Sequence, residues 1–159
     1  MRKDENQTCL WINYLRICGK ILRKMVKFVN IGVVLNKNGE VLIVKRKRKE
    51  VTSTGKEFVW SFPGGVQEIN ETREERVVKE VLLETGYKVK PIKQINLRIH
   101  PDTLVLIAYF LCKLESEEPI QEIEEKDEIE EVKWVKPEEL KNYFTTDIDP
   151  EVKKILKIN

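Results

Sequence analysis

Hydrophobic residues follow strand-like spacing over much of the chain, broken by stretches with helical spacing. The pattern predicts strands at residues 28–35, 41–44, 88–99, 104–114 and 129–135, and a short strand that ends in a tight turn over residues 58–65. Asn38-Gly39, a typical hairpin turn, separates the first two strands. Pro137 and Pro150 each predict the start of a short helix, because proline is favoured in the first turn. Strands and helices in this order predict an α/β or α+β sandwich.

Residues 72–85 carry the strongest helix signal in the chain. Thr72 and Glu75 have the spacing of a capping box, and Gly86 follows the predicted last turn as a C-terminal cap. The apolar stripe of this helix consists of Val77, Val78, Val81 and Leu82. Glu80 and Glu84 are four residues apart, so their carboxylates share another face of the helix. A divalent cation would offset their repulsion, although a surface helix rich in glutamate explains the pattern equally well.

Residues 64–87 resemble the Nudix box, a family motif in which glycine, glutamate and an arginine-glutamate pair recur at set distances around one helix. The matching positions are Gly65, Glu71, Lys79, Glu80, Val81, Glu84 and Gly86. The flanks are also similar, because Trp60-x-Phe-Pro-Gly-Gly precedes the box and residues 131–140 look like the family's last strand and following helix. The resemblance implies a Nudix-type α/β/α sandwich with a mixed central sheet over residues 26–159.

In the Nudix family, box carboxylates and a glycine carbonyl hold divalent ions that polarise a diphosphate. The resemblance therefore implies metal ligands at Gly65, Glu80 and Glu84, with Mg²⁺ as the ion and Mn²⁺ as a substitute. An acidic residue from a late loop often completes such a site. The acidic stretch before the last strand offers Glu125 or Glu128 as a further ligand or general base.

Four residues are predicted to contact the substrate. Arg46 and Arg98 are candidate phosphate ligands, because a guanidinium group can donate two parallel hydrogen bonds to phosphate. Trp60 could stack on a base, although an aromatic side chain there equally fits the core. Gly64 lets the backbone approach a ligand closely, because it has no side chain. For His100, both a structural role and a substrate contact stay open.

Three positions depart from the family pattern. Leu83 replaces a glutamate and Lys79 replaces the arginine, while Arg76 stands where the family often has alanine. Fewer carboxylates should weaken metal binding or lower the number of ions held. The leading hypothesis is Mg²⁺-dependent hydrolysis of a nucleoside triphosphate, including oxidised forms such as 8-oxo-dGTP, to monophosphate and pyrophosphate. The alternatives are hydrolysis of ADP-ribose or another nucleoside diphosphate derivative, and a nucleotide-binding domain with little catalysis.

Residues 1–25 stand apart from the predicted domain as a basic amphipathic helix or extension. Its apolar positions recur at helical spacing, at Leu10, Tyr14, Ile17, Cys18, Ile21, Leu22 and Met25. This segment could pack on its own domain or pair two copies into a homodimer, and Met25 could be the natural start. We do not expect membrane contact.

Charge and cysteine usage narrow the setting in which the protein works. The 29 basic and 27 acidic residues give a net charge of +2, so we do not expect a nucleic-acid polymer as partner. The family resemblance implies a small nucleotide instead. The 3 cysteines show no spacing typical of a zinc site or a disulfide framework, which favours a cytoplasmic location.

Overall fold

A computed structural model describes residues 27–159, so the prediction for residues 1–25 lies outside the described residues. The strands are β1 (Phe28–Leu35), β2 (Val41–Val51), β3 (Glu57–Ser61), β4 (Gly64–Val66), β5 (Val89–Ile99), β6 (Leu106–Leu114) and β7 (Ile129–Val135). The helices are α1 (Arg73–Thr85), a 3₁₀ helix (Pro137–Asn142) and α2 (Pro150–Leu156).

The strands form one mixed sheet of 7 strands. Its main order is β3-β2-β1-β6-β5, with β4 paired to β1 and β7 paired to β2. The pairing of β1 with β6 is parallel, and the other pairings are antiparallel. The central position of β1 brings the two halves of the chain together, because β2 and β6 lie on either side of it.

Helices cover both faces of the sheet. Adjacent residues of a strand point to opposite faces, and Val33 and Val34 accordingly belong to different cores. One core packs beneath α1 and includes Val77 and Val81. The other packs beneath the 3₁₀ helix and α2, with Leu140, Val152 and Leu156 among its members. The predicted α/β sandwich with a mixed central sheet is therefore confirmed.

The predicted caps of α1 are present. The Thr72 hydroxyl accepts a hydrogen bond from the Glu75 N–H, and the Glu75 carboxylate accepts one from the Thr72 N–H. Gly86 ends the helix in the left-handed conformation, with φ of 76°. None of the helices within residues 27–159 is long and apolar enough to cross a membrane.

Residues 58–65 contain the predicted short strand and turn, and a second strand that was not predicted follows the turn. These two strands, β3 and β4, pair with different neighbours, β2 and β1. The change of partner occurs at Pro63, which lacks an N–H to donate within a sheet. The Pro63 carbonyl accepts a hydrogen bond from the Gly32 N–H, which anchors this turn against β1. The turn delivers Gly64 and Gly65 to the middle of the sheet beside α1.

Candidate functional site

Three glutamates from two parts of the chain form a compact carboxylate cluster. Glu80, Glu84 and Glu125 each offer one oxygen, and these oxygens lie within 4.8 Å of one another. Hard carboxylate oxygens at this separation suit Mg²⁺ or a similar divalent ion. We refer to these three residues as the carboxylate cluster.

The two helix glutamates are buried, contrary to the expectation that they occupy a face opposite the core. Glu80 is 5% exposed and Glu84 1%, on the same helix as the fully buried Val77 and Val81. Helix α1 packs against β1 and β4, and its carboxylates reach the turn after β3. An isolated buried carboxylate is costly, so this burial is favourable only where cations or N–H donors face the group.

Gly64 and Gly65 surround the cluster with backbone. The Gly64 N–H donates a hydrogen bond of 2.8 Å to Glu84 Oε2. A Cβ atom on Gly65 would lie 2.4 Å from Glu80 Oε2, so only glycine leaves room for this carboxylate. The residues present therefore fit a divalent ion, because three hard oxygen donors lie within 4.8 Å of one another and glycine leaves room for one of them.

Backbone hydrogen bonds bring Glu125 to the end of α1. The N–H groups of Glu124 and Glu125 both donate to the Leu83 carbonyl, at 3.0 and 3.3 Å. The Glu128 carbonyl accepts a bond of 2.8 Å from the Lys47 N–H on β2, which ties down the other end of the loop. Glu128 itself is exposed and lies outside the carboxylate cluster. Of the two predicted loop carboxylates, the structure brings only Glu125 to the helix pair.

The electrostatics of the cluster reflect its burial. Burial raises the pKa of Glu84 to about 8, against the lowering effects of the Arg46 guanidinium and the Gly64 N–H. Burial also raises the pKa of Glu80, while Arg76 acts to lower it. The pKa of Glu125 is raised by burial and by the negative charge of Glu128. A positive ion between these groups would favour their charged forms and so oppose the effect of burial on these pKa values.

Arg46 lies between the cluster and open space. Its Nη2 atom is 3.8 Å from Glu84 Oε1, and its Nη1 atom is 3.4 Å from Glu50. The register between β2 and β7 shifts at Arg46, where Lys45 pairs with Glu131 and Arg46 with Ile129. Such a bulge redirects side chains. The half-buried guanidinium is thus available to an anionic group that approaches the cluster.

A pocket of about 320 Å³ opens beside the carboxylate cluster. Arg46, Gly64 and Gly65, which contact the cluster, also line this pocket. Its walls are largely apolar and aromatic, with Phe58, Trp60, Phe62 and Phe144 among them. Trp60 also packs edge-on against Tyr143, with ring centroids 5.2 Å apart, so it serves both the core and the pocket wall. Volume and lining are typical of a site for a small organic ligand.

Arg98 is engaged elsewhere, and we correct its assignment as a phosphate ligand. Its Nη2 atom lies 2.8 Å from Asp147 Oδ2, and its Nε atom lies 2.8 Å from Asp149 Oδ2. Arg98 is not among the residues that line the pocket. Two carboxylates thus neutralise its charge, and it holds the segment before α2 against β5.

His100 also has a structural role. It is 5% exposed, and its Nε2 atom lies 2.9 Å from the Asp147 carbonyl. Its Nδ1 atom accepts a hydrogen bond of 3.2 Å from the Asp102 N–H. Because Nδ1 is an acceptor, Nε2 carries the proton and donates to the carbonyl. Both ring nitrogens are used within the protein, although the ring contributes to the pocket wall.

Three groups at the site were missed by sequence reasoning. The buried hydroxyls of Ser61 and Thr103, both in the pocket wall, lack a hydrogen-bond partner within residues 27–159. Nothing in their local sequence marks them, because Ser61 at the end of β3 and Thr103 in the turn before β6 reach the same pocket only in the fold. Arg76 pairs with Glu80 at 2.7 Å, and its spacing of four residues before Glu80 was a signal that sequence analysis could have used.

Comparison with known proteins agrees with this fold. The NUDIX domain family model matches residues 27–157. A MutT-like protein from Streptomyces ambofaciens is 29% identical over 110 residues, covering 69% of this chain and 63% of that protein. An 8-oxo-dGTP diphosphatase from Proteus vulgaris is 32% identical over 82 residues, covering 50% of this chain and 70% of that protein. The chain therefore belongs to the NUDIX domain family.

A solved structure shows the same fold over most of the chain. The NUDIX hydrolase from Nitrosomonas europaea superposes with a TM-score of 0.62 at 19% identity, covering 83% of this chain and 86% of that chain. The aligned regions span from 21% to 70% of the length of the curated relatives.

Proposed function

We propose that this chain is a Mg²⁺-dependent pyrophosphohydrolase of nucleoside triphosphates, including oxidised forms such as 8-oxo-dGTP. Its products would be a nucleoside monophosphate and pyrophosphate, with Mn²⁺ able to replace Mg²⁺. The observation that carries the proposal is the continuity between the aromatic pocket and the carboxylate cluster, which share Gly64, Gly65 and Arg46. The similarity to the 8-oxo-dGTP diphosphatase of Proteus vulgaris supports this choice of substrate.

The two ends of the site suit the two ends of a nucleotide. A base and sugar would occupy the aromatic pocket, where Trp60 offers a stacking surface and the free hydroxyls of Ser61 and Thr103 offer polar contacts. The phosphates would then point toward Arg46 and the cluster. The Arg46 guanidinium faces Glu50 and Glu84 at 3.4 and 3.8 Å, and its remaining N–H groups can donate hydrogen bonds to phosphate oxygens.

The reaction is hydrolysis of one phosphoanhydride bond. A bound divalent ion supplies Lewis acidity toward the phosphate oxygens and toward water. Glu80 and Glu84 would hold this ion, and the hydrogen bond from the Gly64 N–H fixes the position of the Glu84 carboxylate. Water forms a bond to one phosphorus, the bridging P–O bond breaks, and pyrophosphate leaves. Glu125 is the proposed proton acceptor, because it reaches the cluster from a separate loop and its pKa is raised by burial and by the charge of Glu128.

The test is a product assay on the purified full chain. Nucleoside triphosphates, 8-oxo-dGTP and ADP-ribose are incubated with Mg²⁺, Mn²⁺ or EDTA, and products are separated by chromatography. We expect monophosphate and pyrophosphate from a triphosphate, with no product in EDTA. If ADP-ribose is the single compound hydrolysed, to AMP and ribose 5-phosphate, then ADP-ribose rather than a nucleoside triphosphate is the substrate. Absence of turnover in a folded protein would contradict an enzymatic function and favour a nucleotide-binding domain.

Matched glutamine variants test the residues. Glu84→Gln keeps the shape of a buried side chain but removes its charge, so turnover should fall by about 100-fold or more, as for loss of other groups that stabilise a transition state. Glu125→Gln should have a similar effect. Glu122→Gln is the control, because this exposed side chain of the same loop pairs with Lys126 and lies outside the cluster, and we expect activity within a few-fold of wild type.

A further inference from the structure

A cation of the protein itself, the guanidinium of Arg76, lies against the carboxylate cluster. Its Nη2 atom lies 2.7 Å from Glu80 Oε1 and 3.9 Å from Glu68 Oε1, and its Nη1 atom lies 3.4 Å from Glu71 Oε2. The side chain is 12% exposed, which is unusual for an arginine on a helix surface. Arg76 therefore bridges the carboxylate cluster and the acidic residues that precede α1.

Arg76 rather than Lys79 orients Glu80. Lys79 occupies the arginine position of the box, but its Nζ atom contacts Glu71 at 2.6 Å and its side chain is 51% exposed. A lysine offers a single charged atom, whereas the planar guanidinium of Arg76 reaches three carboxylates at once. The Glu80 carboxylate thus lies between the guanidinium on one side and the backbone of Gly65 on the other.

The balance of charge around Glu80 limits how many cations the site can take. Leu83 contributes no carboxylate, and Arg76 adds a positive charge that stays in place whether or not a metal ion binds. A second divalent ion near Glu71 and Glu80 would face the guanidinium at close range, where like charges repel strongly in a partly buried site. Glu80 and Glu84, with Glu125 beside them, provide oxygen donors for one ion.

We infer that Arg76 is a resident cation that positions Glu80 and restricts the site to one divalent ion per chain. This inference rests on the metal dependence proposed above. It makes Arg76 a positioning residue whose effect is visible in ion stoichiometry, apart from turnover.

The experiment counts Mn²⁺ ions bound to the full chain by electron paramagnetic resonance, with isothermal titration calorimetry as a second measurement. Wild type should bind one Mn²⁺ ion. Arg76→Gln keeps a donor for Glu80 but removes the charge, so a second ion should bind. Arg76→Lys restores the charge and should return the count to one. Arg73→Gln is the control on the same helix, because Arg73 contacts Gln94 and not the cluster, and it should also bind one ion.

The outcomes separate this inference from the proposed function. One ion in both wild type and folded Arg76→Gln would overturn the role of Arg76 and leave metal dependence intact. Two ions in wild type would overturn it without any variant, so the test holds even where Arg76→Gln fails to fold. No Mn²⁺ binding by any protein would overturn the inference and the metal-dependent function together.

Discussion

Gly65 offers a sharp test of the site, because its neighbour Gly64 provides a matched comparison. A Cβ added at Gly65 would lie 2.4 Å from the Oε2 and Cδ atoms of Glu80. Ordinary contact begins near 3.4 Å, so the carboxylate must withdraw by about 1 Å. Glu80 cannot swing away freely, because Arg76 holds its other oxygen at 2.7 Å. Gly65→Ala should therefore displace a metal ligand while it leaves the strands in place.

The expected magnitude follows from this displacement. A shift of about 1 Å in a reacting geometry can lower the rate by roughly 100-fold. We expect Gly65→Ala to lower kcat/KM by about that factor and to weaken Mg²⁺ binding by about tenfold or more, in the range seen when groups that orient metal ligands are lost. Its unfolding temperature in EDTA should stay close to that of wild type.

Gly64→Ala should behave differently, because its added Cβ meets backbone. The nearest atoms are the Asn30 carbonyl oxygen at 2.2 Å and the Ile31 Cα at 2.8 Å, both on β1. Backbone within a sheet cannot rotate aside, so we expect a loss of about 1–3 kcal/mol in the free energy of unfolding, typical of overpacking. Val66→Ala, at an exposed position on the same strand, should change neither the unfolding temperature in EDTA nor the Mg²⁺ affinity.

Two measurements decide the comparison between the glycine variants. Thermal unfolding in EDTA reports stability, and Mg²⁺ titration of hydrolysis reports the metal site. Wild-type Mg²⁺ affinity and turnover in Gly65→Ala would refute the placement of Glu80 against this glycine. Equal loss of stability in both glycine variants would refute the distinction between side-chain and backbone contact.

Three further predictions concern charge and metal. Mg²⁺ at 100 times its dissociation constant should stabilise wild type by about 2.7 kcal/mol, seen as a rise in unfolding temperature that Glu84→Gln loses; an equal rise in both proteins would contradict the assigned ligand. Leu83→Glu should raise Mg²⁺-dependent turnover without a change of product, whereas unchanged or lower turnover would mean that the site is built around leucine. The Asp147 N–H and Lys56 lower the pKa of Asp102, so its ionised form stabilises the fold above the unfolded pKa near 3.8, and this contribution is lost as pH falls through the folded-state pKa. In urea unfolding, Asp102→Asn should therefore be about 1 kcal/mol less stable than wild type at pH 7, and the gap should close below pH 4; a gap that persists there would contradict an ionic origin.

Much of the fold could be predicted because the signals are local. The capping pair Thr72 and Glu75 and the terminal Gly86 act within one turn of α1, so their residue types alone predicted where the helix begins and ends. Strand β7 was likewise predicted over its exact range, because alternation of side chains is visible within a few residues. The spacing of Glu80 and Glu84 on α1 also required no tertiary information.

Prediction was poorer wherever a residue depends on a distant partner. Arg98 looked like a free phosphate ligand until Asp147 and Asp149, far along the chain, were seen to pair with it. The break at Pro63 arises because β3 and β4 choose different neighbours, a choice made across the sheet.

Residue types and their spacing were thus enough to identify the helix, its carboxylates and the family. Only the packed structure decided that these carboxylates are buried, that Arg76 lies among them, and that Glu125 rather than Glu128 joins them. The reason is physical: spacing along a helix is set by its own hydrogen bonds, whereas burial depends on what packs against it. The Leu83 carbonyl accepts hydrogen bonds from the N–H groups of Glu124 and Glu125, about forty residues later in the chain. No local sequence pattern predicts this contact, which brings Glu125 to the helix.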